Sequence, residues 1–148
     1  MTADDNASIH ASAVLVGDQG ILIRGPSGSG KSRLAFDLIL AGRAGQVPAT
    51  ALIGDDRVRL AVSDGRLVVQ GVPELAGLIE VRGLGIRTIG FAAEGRVALV
   101  VDLDATDAER LPPPETLKTR VSGLEIPRIP VGPGYAALPL VLAFITTV

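Results

Sequence analysis

The stretch Gly25–Ser32, GPSGSGKS, lies between two apolar runs, GILIR before it and RLAFDLIL after it. It fits G-x-x-x-x-G-K-[ST], and its flanks read as a strand before and a helix after, the context in which this pattern cradles phosphate. Glycines let the backbone curl so that successive N–H groups point inward, and the start of the next helix adds partial positive charge. In such a loop Lys31 reaches the β- and γ-phosphates, and the Ser32 hydroxyl is placed to ligate Mg2+. Gly25, Pro26, Ser27, Gly28, Ser29, Gly30, Lys31 and Ser32 are therefore expected to hold a nucleoside phosphate.

The rest of the chain limits what surrounds that loop. Its 148 residues are the length of one ordinary domain, so a single domain over 1–148 is expected. Cysteine is absent, which excludes disulfides, thiolate metal sites and cysteine nucleophiles and suits a reducing cytoplasm. The net charge of −2 comes without a basic block, which argues against a nucleic-acid partner. The first residues, MTADDNAS, are short and acidic, unlike a signal or transit peptide. No run reaches the roughly 18 apolar residues of a membrane span. The nearest, YAALPLVLAFITTV, is broken by Pro139 and reads as a buried or interface element.

Apolar periodicity orders the elements. SAVLVG (12–17) and GILIRG (20–25) flank the turn DQG and read as a hairpin. From Lys31 to Leu40 the period becomes helical, with Leu34, Leu38 and Ala41 on one face, and Gly42 reads as the glycine that ends the helix. ATALIGDD reads as a strand ending in two acids, and RVRLAV-SDG-RLVVQG as a second hairpin. LIEVRGLGIRTIG (78–90) reads as a strand running into a glycine-rich bend, and RVALVVDL (96–103) as a strongly apolar strand. LPPPET is not expected to form a regular element, because three prolines remove donors and fix φ. From Leu124 the tail reads as extended and proline-interrupted. Strands outnumber helices, so an α/β protein with a mixed sheet, hairpins and few helices is expected, rather than regular βαβ alternation.

A phosphate loop of this type also needs an acid at a neighbouring strand end. Asp55 and Asp56 in ALIGDD compete with Asp102 and Asp104 in ALVVDLD. ALVVD has the better apolar run, whereas two adjacent aspartates repel unless a cation or a positive loop is close. An acid held among like charges also suits a proton acceptor. Sequence chemistry leaves both pairs standing. Glu80 and Arg82, two apart on a predicted strand, project to one face just before the GLG bend, where an acid and an arginine could serve as metal ligand and charge clamp. His10 is the one histidine.

These clusters, in this order, resemble the HPr kinase/phosphorylase family, bacterial enzymes of sugar phosphotransferase regulation. The matching text is IHASAVLVGDQGILIRGPSGSGKS, then LIGDDRVRL, then LIEVRGLGI and, more weakly, DAERL, together covering most of 9–110. The resemblance implies a fold like that of phosphoenolpyruvate carboxykinase, with ATP and Mg2+ as cofactors and serine of an HPr-like phosphocarrier protein as acceptor. It implies catalytic roles for His10, Lys31, Asp55, Asp56, Arg82 and, with diverged surroundings, Arg110. Asp56 would take the serine proton, Asp55 would lie beside phosphates and metal, and Ser32 and Glu80 would ligate Mg2+. Asp102 is left as a strand-end acid without a role. A cytoplasmic homo-oligomer is implied as well.

Members of that family are longer, with an N-terminal domain ahead of these motifs and C-terminal helices beyond, so the expectation is a short form made of the catalytic domain. The loop that members use for dephosphorylation is rich in Lys and Arg, but the corresponding IPVGPGYAALP here has neither. Without cations to attract inorganic phosphate, the kinase direction is expected over the phosphorylase direction. Two alternatives stay open: a nucleotide-binding regulatory module without catalysis, and a kinase for another small protein or small molecule.

Overall fold

The structure, a computed structural model, describes residues 7–148. After the two-residue β1 (Ser8–Ile9), β2 (Ser12–Val16) and β3 (Gln19–Arg24) form the expected hairpin. The glycine-rich segment that follows leads into α1 (Lys31–Arg43), then β4 (Thr50–Gly54) and the hairpin of β5 (Val58–Ser63) and β6 (Arg66–Gly71). Next come β7 (Leu78–Val81), β8 (Gly85–Thr88), β9 (Glu94–Asp102), β10 (Lys118–Val121), β11 (Leu124–Pro130) and α2 (Ala137–Thr146). One mixed sheet runs β1-β5-β6-β9-β3-β2-β4, with β11 pairing β9 and carrying β10, while β7 and β8 form a separate ribbon. This is the strand-rich α/β architecture that the sequence predicts. Among the described residues no helix is long and apolar enough to cross a membrane.

Strand direction gathers the site. β9 runs parallel to β3, and β2 is antiparallel to both β3 and β4, so β3, β4 and β9 all point the same way. β11 is parallel to β9. The segments leaving all four strands therefore emerge at one edge, where open α/β sheets bind ligands. They are the glycine-rich loop, Asp55–Asp56, Asp104 and the stretch from Val131.

Both sheet faces are covered. Ile21 and Ile23 of β3 pack with Leu34 and Leu38 of α1, Val141 of α2 and Leu99 and Val101 of β9. Leu22 faces the opposite core with Val97, Val100, Val58 and Val69. β9 switches parity between Val97 and Leu99 because its register with β3 slips there: Gly20 faces Val97, and Ile21 faces Leu99. One extra residue turns a strand's side chains to the other face.

Four sequence expectations are corrected. Gly42 does not end α1, which runs to Arg43. The Gln46 N–H bonds the Ala41 carbonyl and the Gly45 N–H bonds that of Gly42, with Gly45 at φ +77°, so Gly45 is the terminating glycine. Gly42 is needed for close packing, since a Cβ there would lie 2.8 Å from Thr50 Oγ1. The 78–90 segment folds back on itself, pairing Leu78 with Thr88, which puts Arg82 in the turn and not on a strand. LPPPET contains a single 3-10 turn at Pro114–Leu117, its first residue the last of the three prolines. The tail from Leu124 is extended only to Pro130, and 137–146 is helical. Pro139 is its third residue, where the missing N–H has no intrahelical partner to lose.

An ionic clamp ties the sheet edge together. Arg24, the last residue of β3, grips Asp102 with two bonds of 2.7 and 2.9 Å, and Arg128 of β11 donates to the same carboxylate at 2.6 Å. Arg128 also bonds Asp107 and the Thr116 carbonyl. Burial alone would raise the Asp102 pKa, but hydrogen bonds and charge from both arginines outweigh it and hold it below the ordinary value. Asp102, with no role assigned from sequence, thus fixes the strand end from which the glycine-rich loop departs. Asp102→Asn is expected to cost roughly 2 kcal/mol at neutral pH, less than a fully buried pair. Because the folded pKa lies below the unfolded value of about 3.9, the stabilisation is complete above that value and is lost as pH falls through the folded one. Urea unfolding followed downward from neutral pH checks this, with a shallower acid decline expected in the variant. Identical pH slopes in the two proteins would contradict the clamp.

Candidate functional site

The glycine-rich loop has the form that a phosphate requires. A Cβ on Gly25 would come within 2.6 Å of Ser29 Oγ and 3.0 Å of Leu103 Cβ, so only glycine fits there. Gly28 and Gly30 adopt φ of +81° and +99°. Gly30 caps α1 without a side-chain bond, and the first turn of the helix carries no acid. That helix end therefore presents N–H groups and positive dipole without an internal carboxylate to satisfy them. Lys31 Nζ lies back across the loop, donating to the carbonyls of Gly25 at 2.8 Å and Pro26 at 3.1 Å. Ser29 Oγ is buried and has no hydrogen-bond partner among the described residues. A buried hydroxyl without a partner, in a loop that leads into a helix N-terminus, fits an anion.

Beyond the loop stands Asp55, only 6% exposed. Its Oδ1 accepts the Ser12 hydroxyl at 2.8 Å and the Ser32 hydroxyl at 2.7 Å, and its Oδ2 accepts the Glu80 N–H at 3.0 Å. One carboxylate thus joins β2, the first turn of α1 and the middle of β7. Among the described residues no lysine, arginine or histidine forms an ion pair with it. A buried carboxylate without a cationic partner is costly. The Ser32 hydroxyl and the Glu80 carboxylate at the same cleft make the donor set suitable for a hard cation. No three acidic or histidine side chains among the described residues form a ready cage. Mg2+ suits that, because it commonly takes one or two carboxylates and completes its shell with phosphate and water.

Asp56 points elsewhere. Its φ of +68° is a left-handed conformation that aspartate tolerates better than most residues. The Arg57 N–H closes the tight turn on the Asp55 carbonyl at 2.8 Å. The turn carries the Asp56 side chain out to the exposed rim, where its Oδ1 lies 3.6 Å from His10 Nδ1. Arg57 Nη2 lies 3.2 Å from His10 Nε2. A guanidinium only donates, so this contact assigns the imidazole proton to Nδ1, facing Asp56.

These groups border a cleft of about 1170 Å³. Ser27–Ser32, Asp55, Asp56, Glu80 and Arg82 all line it. A side chain at Gly28 would approach Arg82 Nη2 at 3.7 Å, so the arginine of the β7–β8 turn hangs over the loop. Gly25 and Pro26 form the entry of the loop, and His10 stands at the rim through Asp56. Arg110 is exposed and is not brought to the cleft. Of the acids that competed in the sequence, Asp102 is held in the ionic clamp, while Asp104 lines the cleft. Sequence reasoning missed Ser12, which carries no signal beyond being a hydroxyl at the start of an apolar strand. Tyr135 and Leu138 of the IPVGPGYAALP segment, singled out above through the resemblance, also line the cleft, brought there by the chain after β11.

Residues 2–146 match the family described as HPr Serine kinase C-terminal domain. The chain is 35% identical over 140 residues to an HPr kinase/phosphorylase of Geobacillus thermodenitrificans, covering 86% of this chain and 43% of that protein. It is 32% identical over 149 residues to one from Mycoplasma mycoides, covering 91% of this chain and 45% of that one. The chain thus spans less than half the length of these relatives. Among solved structures, an Hpr(Ser) kinase/phosphatase from Coxiella burnetii superimposes with a TM-score of 0.75 at 22% identity, over 95% of this chain and 88% of that one. That likeness bears on the fold.

Asp55→Asn is expected to lower stability by about 1–3 kcal/mol, because its amide sets a donor against hydroxyl or backbone donors now paired with oxygen. Urea unfolding at neutral pH measures it. A midpoint at or above that of the parent chain would contradict the bonding drawn around Asp55.

Proposed function

The chain belongs to the HPr Serine kinase C-terminal domain family, and on that premise we propose that it is an ATP- and Mg2+-dependent protein kinase that phosphorylates a serine of an HPr-like phosphocarrier protein in the cytoplasm. The observation that carries this reading is the division of two adjacent acids. Asp55 is buried against the Ser32 hydroxyl, while Asp56 is exposed beside His10. A simple nucleotide binder needs the loop but has no use for the second acid.

The loop amides and Lys31 hold the phosphates, and Ser32 and Glu80 hold the metal. When bound, ATP supplies the γ-phosphoryl group and Mg2+ neutralises its charge. Asp55 keeps the Ser32 hydroxyl turned so that its proton is committed and its oxygen lone pairs remain available to a cation. Asp56 orients the incoming serine hydroxyl and accepts its proton, assisted by the His10 ring beside it. Arg82, over the loop, offsets charge that develops on the transferring group. The 131–136 segment bordering the cleft carries no lysine or arginine, which favours adding phosphate over drawing inorganic phosphate in to remove it. Exposed Leu140 and Phe144 on α2 suit self-association. Arg110, outside the cleft, is given no part in the transfer.

Incubation with labelled ATP, Mg2+ and HPr is expected to label a serine of HPr. Asp56→Asn should lower that transfer roughly 10²–10⁴-fold, the usual contribution of a positioned acid or base, with nucleotide affinity unchanged. Nucleotide binding without any transfer by the parent chain would overturn the kinase reading. Full activity in the variant would remove Asp56 from the proton step.

A further inference from the structure

We infer that Ser12 is a positioning residue for the paired aspartates, its single hydroxyl setting the Mg2+-dependent part of nucleotide binding. The inference rests on the ATP and Mg2+ reading above. Ser12 is fully buried in β2, between β3 and β4, on a strand whose other buried residues are apolar. A buried hydroxyl is kept without penalty only when it is bonded. Both of its functions are committed to the same two neighbours. It donates to Asp55 Oδ1 at 2.8 Å and accepts the Asp56 N–H at 3.4 Å.

The backbone is arranged to make this meeting possible. The register of β2 with β4 slips between Ala13 and Val14: Val14 faces Leu52, but Ala13 faces Gly54. Without the extra residue, Ala13 would face Ile53, and the aspartates would fall one position beyond reach of Ser12. Bulges re-aim side chains in this way at functional edges. A further bond from the Ala11 N–H to the Asp56 carbonyl, 3.3 Å, holds the turn against β2.

The consequence reaches the cleft through Asp55. Its Oδ1 receives Ser12 and Ser32 together, and its Oδ2 receives the Glu80 N–H. Ser32 and Glu80 are the residues proposed to hold the cation. With Ser12 in place, the carboxylate is anchored from the sheet side, independently of what Ser32 does. Without that anchor Asp55 is free to turn on the two bonds that the cation site supplies, and the alignment of Ser32 with Glu80 loosens. Anion binding by the loop amides does not pass through Ser12 and should not feel its loss.

Threonine and valine at position 12 have the same shape and differ by the hydroxyl. Calorimetric titration of ATP into the full chain, with Mg2+ and with EDTA, separates the two contributions. Ser12→Thr should bind Mg2+–ATP within about twofold of the parent, and Ser12→Val about tenfold more weakly, the scale of one hydrogen bond to a charged group. Affinity for ATP in EDTA should be the same in all three. Ser12→Ala, which adds no bulk, should behave as Ser12→Val does and is the variant to read should valine not fold. Equal Mg2+–ATP affinity with and without the hydroxyl overturns the inference, as does a loss of equal size in EDTA. Absence of Mg2+-dependent ATP binding in the parent chain overturns the nucleotide reading itself, and this inference with it.

Discussion

A carboxylate taken almost wholly out of water must be surrounded by donors or neutralised, and Asp55 meets the first condition without the second. Its three donors come from three separate elements: a hydroxyl on β2, a hydroxyl in the first turn of α1 and a backbone N–H of β7. None brings a full positive charge. The site is therefore arranged around a negative centre that is well oriented and still able to attract a cation. The placing of Ser32 and Glu80, and the outward turn of Asp56, follow from that one group being fixed.

What fixes it is strand direction. β3, β4, β9 and β11 end at one edge, and each contributes a different kind of segment there. The acids at that edge divide their work by burial and partner. Asp102 is held ionised between two arginines and secures the base of the glycine-rich loop. Among the described residues Asp55 has no such arginine, and it faces the cleft. A carboxylate already paired with two guanidiniums has little left to offer a metal.

The fold was legible wherever a residue pattern records a local cause. The loop pattern, the alternation in β2, β3, β5 and β6, and the helical period of α1 each report a backbone conformation chosen within a few residues. Most of the errors came where distant chain segments decide. Gly42 looked like a helix stop, but it accommodates Thr50, and the left-handed terminus lies three residues later at Gly45. The 137–146 segment is helical despite Pro139, since proline is harmless in a first turn. At the site, Asp55 and Asp56 could be told from Asp102 and Asp104 only through family resemblance. The physical distinction, arginines from β3 and β11 converging on Asp102, depends on pairings between residues 78 and 26 positions apart. Ser12 was invisible for the same reason, as its partner is 43 residues away and meets it through a bulge.

The most direct test of this account is a crystal structure of the chain grown with Mg2+ and a non-hydrolysable ATP analogue. The account predicts a triphosphate against Gly25–Ser32 and a metal ion bound by the Ser32 hydroxyl and Glu80, with Asp55 beside it and Asp102 still gripped by Arg24 and Arg128. A metal on Asp102, or a nucleotide bound away from the glycine-rich loop, would contradict it.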